Sequence, residues 1–251
     1  MTDKLPAELA AVWMSTPNHM FIEIARDIGY RQFVLDVEHG LFDLERTDRL
    51  VAFAKALGLK VFAKVAAPDG TAIQQMLDMG CEGVIIPHIG GLEHARQVTA
   101  AAKYPPIGNR SFAGTRTSAY LGGTQAYYEA ENERVRCYPM VETAEALADI
   151  EAILALSTVD GVFMGPTDLS LSRGRGAYRN TDADKVDLKR VIDAAKAAGK
   201  PWIMPAWSLA EQRDALAREA GMIVISEELG ALQAGLASAL KDFQAVAAGR
   251  N

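Results

Sequence analysis

Arg136-Cys137-Tyr138-Pro139-Met140-Val141-Glu142-Thr143 opens the passage that decides the fold. An apolar run ends at Val141, a stretch of helical period follows over Ala144–Leu156, and a second apolar run, Gly161-Val162-Phe163-Met164-Gly165-Pro166, ends just before Thr167-Asp168-Leu169-Ser170. One carboxylate therefore stands at the mouth of each of two successive strands. The 26 positions from Glu142 to Asp168 hold one helix plus one strand, the repeat that lays neighbouring strands side by side in a parallel barrel.

The same unit recurs outward in both directions. Strand-like runs are read at Ala11–Ser15, Phe33–Glu38, Lys60–Val65, Gly83–His88, Arg136–Val141, Gly161–Pro166, Pro201–Ala206 and Met222–Ser226. Helical period occupies Phe21–Ile28, Thr47–Leu57, Ala72–Met79, Ala144–Leu156, Lys185–Ala198 and Leu209–Ala220, and Gly29, Gly58, Gly80, Gly199 and Gly221 are placed to end helices in a left-handed cap. Eight right-handed βα units close into a (β/α)8 TIM barrel, an α/β fold forming a single domain over residues 1–251. A doubly wound open sheet is the alternative that pattern alone leaves. Two connections, Tyr104–Glu133 and Ser172–Asp184, are longer than a barrel needs and read as loops near a site. The last helix, Glu228–Ala248, is expected to pack on its own barrel or on a neighbour.

With 251 residues, 49% of them hydrophobic and 23% charged, the chain suits one globular core. A net charge of −6 argues against nucleic acid as a partner and points to small molecules. Cys81 and Cys137 have neither zinc spacing nor a disulfide framework, which fits a reducing cytoplasm. No leader-like segment or apolar span long enough for a membrane is read, so a cytoplasmic protein with no membrane partner is expected.

Chemistry on a barrel sits where strands end. Those ends carry His39, Lys64, His88, Glu142 and Asp168. Glu142 and Asp168 are hard oxygen donors, so Mg2+ or Mn2+ is expected over zinc, with Co2+ a further divalent candidate. Each acid alone reads equally well as a helix cap; the pair on adjacent strands points to metal. His39, within Asp36-Val37-Glu38-His39-Gly40, is the natural proton-transfer group, with Asp36, Glu38 or the more distant Asp78 as its carboxylate partner. Lys64 shares the register of Phe62 and so faces the barrel interior or mouth, as an electrostatic clamp or as a Schiff-base nucleophile. Arg110 and Arg116 in the long connection are candidate carboxylate binders.

Taken in order along the chain, Asp36-Val37-Glu38-His39-Gly40, Gln75-Met76-Leu77-Asp78-Met79-Gly80, Tyr104-Pro105-Pro106-Ile107-Gly108-Asn109-Arg110, Val141-Glu142-Thr143 and the run from Asp160 to Ser170 resemble the HpcH/HpaI aldolase family of metal-dependent 2-oxo-acid aldolases. The resemblance implies a (β/α)8 barrel, often a homo-oligomer (trimer or hexamer) with the terminal helix exchanged, that cleaves or forms 4-hydroxy-2-oxo acids through a metal-bound pyruvate or hydroxypyruvate enolate. It implies Glu142 and Asp168 as metal ligands, His39 as proton acceptor, Asp78 as the acid raising that histidine's basicity, and Gly165, Pro166 and Thr167 as substrate contacts. A 2-oxo acid and an aldehyde are the partners it implies.

Two positions depart from the family pattern. Lys64 stands where an arginine is usual, sixteen positions before Gly80, exchanging a planar fork for a point charge. Met140 stands where a substrate-binding glutamine is usual, and a thioether cannot donate the amide's hydrogen bond. The alternatives are a Schiff-base aldolase using Lys64, a non-catalytic 2-oxo-acid-binding homologue, and a citrate-lyase-type thioester lyase, for which no basic platform for coenzyme A is evident.

Overall fold

The computed structural model describes residues 6–249. Eight parallel strands close a barrel in sequence order: β1 Ala10–Met14, β2 Gln32–Asp36, β3 Lys60–Lys64, β4 Gly83–Ile86, β5 Arg136–Val141, β6 Val162–Met164, β7 Trp202–Pro205 and β8 Met222–Glu227, with β8 pairing back onto β1. Alternation along each strand splits the core in two. In β3, Phe62 points into the barrel while Val61 and Ala63 pack beneath the helical shell. Val34, Phe62, Ile85, Tyr138, Phe163, Ile203 and Met222 fill the interior, and residues such as Phe33, Leu35, Ile73, Leu77 and Val191 fill the outer layer. Both faces of every strand are thus covered, which is why the strands read as nearly continuous apolar runs.

The helices start where the strand ends deliver them. Asn18, Asp43, Asp69, Thr143, Thr181 and Ser208 each accept the N–H three residues on, satisfying an orphan donor for about 1 kcal/mol apiece. These caps fix the C-terminal face of the barrel, where the side chains at issue emerge.

The eight strands fall where the sequence places them; the helices differ in detail. The stretch Ala144–Leu156 is two short helices, Ala144–Ala148 and Ile150–Leu154, because Asp149 turns its carboxylate onto the N–H of Leu92 at 2.8 Å. The connection Tyr104–Glu133 contains most of a helix, Gln125–Arg134. Gly221 does not supply a left-handed cap: Glu219 takes that conformation (φ +61°), and a Cβ on Gly221 would lie 2.6 Å from the Cβ of Pro201.

The helix Glu228–Ala248 leaves the barrel, and Glu228 is its one buried residue; Leu229, Leu232, Leu236, Leu240, Phe243 and Val246 are all exposed. The Glu228 carboxylate accepts the N–H groups of Ser15 and Thr16 and the Thr16 hydroxyl, at 3.1, 3.0 and 2.6 Å. Among the described residues no helix is long and apolar enough to cross a membrane.

Candidate active site

The inward rows of β1, β2, β3 and β5 end in Trp13, Asp36, Lys64 and Met140, and one pleat beyond Met140 comes Glu142. Register brings them together: Asp36 pairs with Lys64, and Lys64 with Ile85. Lys64 is 4% exposed, so it faces the mouth and is not a surface lysine. Its ammonium lies 2.5 Å from Glu38 Oε2 and 3.9 Å from Asp36 Oδ1. Glu38 in turn meets His88 Nε2 at 2.5 Å and His39 Nε2 at 3.5 Å. Burial opposes ionisation of Glu38, yet Lys64, His88 and His39 together hold its carboxyl below the usual range. Asp36 fixes two neighbours: Oδ2 accepts the indole N–H of Trp13 at 3.1 Å, and Oδ1 accepts the backbone N–H of His39 at 3.2 Å.

On the other side of the mouth, the buried Glu142 receives the backbone N–H of His88 on Oε1 at 2.6 Å. His88 delivers that N–H from a left-handed backbone (φ +54°), a strained state for a non-glycine residue and one that clusters at functional sites. Burial pushes the Glu142 carboxyl above the usual carboxylate range; His88 and Lys64 pull against it, and Asp168 adds to the rise. Asp168 sits in the first turn of the helix Pro166–Ser172 that follows β6. Gly165 lets the two acids approach, since a Cβ there would lie 2.8 Å from Glu142 Cβ and 3.0 Å from Glu142 Oε2. A buried carboxylate whose contacts are the His88 N–H and, at 3.6 Å, the His88 ring, with Asp168 near enough to disfavour its charge, suits a divalent ion. Among the described residues no group of three or more His, Cys, Asp or Glu is placed to hold a metal ion, so the pair would be its acidic protein ligands and leave positions for substrate and water.

Lys64, Met140, Gly165, Pro166, Thr167 and Asp168 all line one cavity of about 150 Å³ at this mouth. Four expected residues are not in its lining: His39 and Glu142 stand beside Glu38 and His88, and Asp78 and Arg116 lie elsewhere. Asp78 ends the helix Gly70–Asp78, whose start lies at the mouth, so it is carried to the far end of the barrel, where it accepts from Arg110 Nη2 at 2.8 Å. Within this chain the acids at His39 are therefore Glu38 and Asp36. Arg116 lies in the helical shell, bidentate on Asp48 at 2.8 and 3.0 Å and donating to the carbonyl of Met79; its fork is occupied outside the cavity. Arg110 is likewise engaged, by Asp78, by Glu131 and over the ring of Tyr104. Sequence reasoning gave too little weight to His88 and missed Trp13, Phe163 and Trp207, which line the same cavity. Trp13 was discoverable from its inward register; His88 is read among the strand ends, but the left-handed backbone that delivers its N–H is not written in its residue type.

The model of the HpcH/HpaI aldolase/citrate lyase family matches residues 9–225. A hydroxypyruvate/pyruvate aldolase of Rhizorhabdus wittichii is 30% identical over 238 residues, covering 94% of each chain. A 2-keto-3-deoxy-L-rhamnonate aldolase of Klebsiella pneumoniae is 34% identical over 195 residues, 75% of this chain and 71% of that one. Among solved structures, an HpcH/HpaI aldolase from Desulfitobacterium hafniense superposes with a TM-score of 0.86 at 27% identity, covering 95% of this chain and 93% of the other. With the barrel, its strand-end carboxylates and this match across most of its length, the chain belongs to the HpcH/HpaI aldolase/citrate lyase family.

Proposed function

We propose that the protein is a divalent-metal aldolase that cleaves or forms 4-hydroxy-2-oxo acids, with pyruvate or hydroxypyruvate as the 2-oxo-acid product. The observation that carries this reading is the buried Glu142 carboxylate, held by the His88 N–H, with Asp168, in the first turn of the helix after the adjacent strand, near enough to disfavour its charge. Glu142 and Asp168 would hold Mg2+, Mn2+ or Co2+, and such an ion supplies Lewis-acid stabilisation of the enolate and carboxylate oxygens of a 2-oxo acid. Lys64 places a positive charge on the same cavity, and the N-terminus of the helix Pro166–Ser172, beginning beside Gly165 and Thr167, offers backbone donors for the substrate carboxylate. In the cleavage direction His39 Nε2 takes the proton of the C4 hydroxyl as the C3–C4 bond breaks, the bond's electrons pass to the enolate, and a proton returned to C3 completes pyruvate.

A Schiff-base route through Lys64 finds less support. Lys64 is tied to Glu38 and Asp36, whereas a nucleophilic lysine is typically freed by apolar surroundings or a second cation. Purified protein with Mn2+ should exchange the C3 protons of pyruvate for deuterium and lose that exchange with chelator or in His39→Ala. No exchange with any 2-oxo acid would overturn the reading, and a borohydride-trapped adduct at Lys64 in chelator would favour the Schiff base.

Self-association is part of the proposal. The exposed leucines and Phe243 of the helix Glu228–Ala248 form an apolar stripe that a second copy of the chain would cover, giving a trimer or hexamer. Light scattering of the full chain against a version ending at Glu227 tests it: an assembly that survives the deletion is not built on this helix.

A further inference from the structure

The barrel mouth has two unlike halves. One carries the charged groups Asp36, Glu38, Lys64, His39, His88 and Glu142. The other is a wall of rings: Trp13, Phe163, Pro205 and Trp207 line the 150 Å³ cavity that opens beside Gly165 and Asp168. Trp13 is fixed there by its hydrogen bond to Asp36 and by Phe163, whose ring centroid lies 5.8 Å away with the planes 47° apart. Trp207, two residues past the end of β7, leaves 55% of its surface exposed. Met140 adds a polarisable thioether to the same lining.

The hydrogen-bonding side chains of this cavity are few. They are Lys64, Thr167, Asp168 and the indole N–H groups of Trp13 and Trp207. Lys64 is already bound by Glu38, the Trp13 indole by Asp36, and Asp168 is a candidate metal ligand, which leaves the Thr167 hydroxyl and the single indole N–H of Trp207 for any further polar group of a substrate. An aldehyde bearing several hydroxyls would bury them against ring faces without partners, and each unmet hydroxyl costs binding. A ring or compact apolar group would instead cover Trp207 and stack on the wall. A cavity of about 150 Å³ walled in part by rings is on the order of the size that accepts a benzene ring.

We propose that the aldehyde half of this site selects a substrate carrying an apolar, ring-sized group, with Trp207 as a specificity-determining residue. The inference rests on the aldolase reading, so the two are tested separately. Proton exchange on pyruvate alone needs no aldehyde and decides the first; its absence overturns both. In protein that exchanges, the full chain with Mn2+ and pyruvate is offered phenylacetaldehyde or D-glyceraldehyde, and kcat/KM is measured for each addition. The expected result is a preference of about tenfold for phenylacetaldehyde, retained in Trp207→Phe and brought close to parity in Trp207→Ala. Equal or better use of glyceraldehyde by the unmodified protein overturns the proposal, and so does a ratio that Trp207→Ala leaves where it was. Reading a ratio on both variants separates ring recognition from a general loss of activity.

Discussion

Lys64 and Glu38 form a nearly dry ion pair, Nζ to Oε2 2.5 Å, with side chains only 5% and 10% exposed, and it joins the interior of the barrel to the loop that carries His39. Breaking such a pair from one side strands the other charge. Glu38→Ala should therefore destabilise the fold by about 3 kcal/mol, and Glu38→Ala combined with Lys64→Met should recover most of that loss without recovering turnover. Denaturant unfolding of both variants checks the first statement and proton exchange the second; equal stability of the single and double variants would show that the pair is not coupled.

Gly165→Ala should damage metal binding before it damages folding. The added methyl would meet Met140 Cε at 2.7 Å, which can swing away, and Glu142 Cβ at 2.8 Å, which cannot move without taking its carboxylate along. Mn2+ affinity by calorimetry should fall about tenfold or more, and adding Met140→Ala should not restore it.

His88 makes its hydrogen bond to Glu142 through the backbone, so the substitutions separate by conformation. His88→Gly keeps the N–H and accepts φ +54° freely, whereas His88→Ala keeps the N–H under strain. The glycine variant should be the more stable of the two by about 1 kcal/mol, read by thermal unfolding.

Asp184 sets part of the acid limit of the fold. Burial would raise its carboxyl, but the N–H and hydroxyl of Thr181 and the guanidinium of Arg175 outweigh that and hold it below its ordinary value of 3.8. A depressed acid contributes stability that is complete above its unfolded pKa and is lost as pH falls through the folded one. Asp184→Asn should thus cost stability at pH 7 and flatten the decline below pH 4; an unchanged slope in that range would exclude this carboxylate as a source.

The two thiols should be silent in the native state. Burial pushes Cys81 up to about 12 and Cys137 further still, and both are fully enclosed. Iodoacetamide at pH 8 should label neither until the protein is unfolded.

The barrel was legible because its signals are local and repeated: an apolar run, a capping residue, a helical period and a stop, eight times over. Lys64 was legible too, since sharing a register with Phe62 left it facing the interior or the mouth. Side-chain partnership across the helical shell was not. Asp78 and Arg110 are 32 positions apart and Arg116 and Asp48 are 68 apart, so no local pattern reveals that these arginines are spoken for. The ring wall escaped for a different reason. Trp13 and Phe163 come from β1 and β6 and Trp207 from the loop after β7, and each alone reads as ordinary core or surface material.

Glu228 gives the departing terminal helix a mechanical meaning. Its carboxylate holds Ser15 and Thr16, and the Ser15 carbonyl receives the N–H of Leu41, two residues after His39. The helix is thus a lever whose short arm ends beneath the loop that carries His39. A displacement of the helix start would pass through Ser15 and Leu41 to that loop.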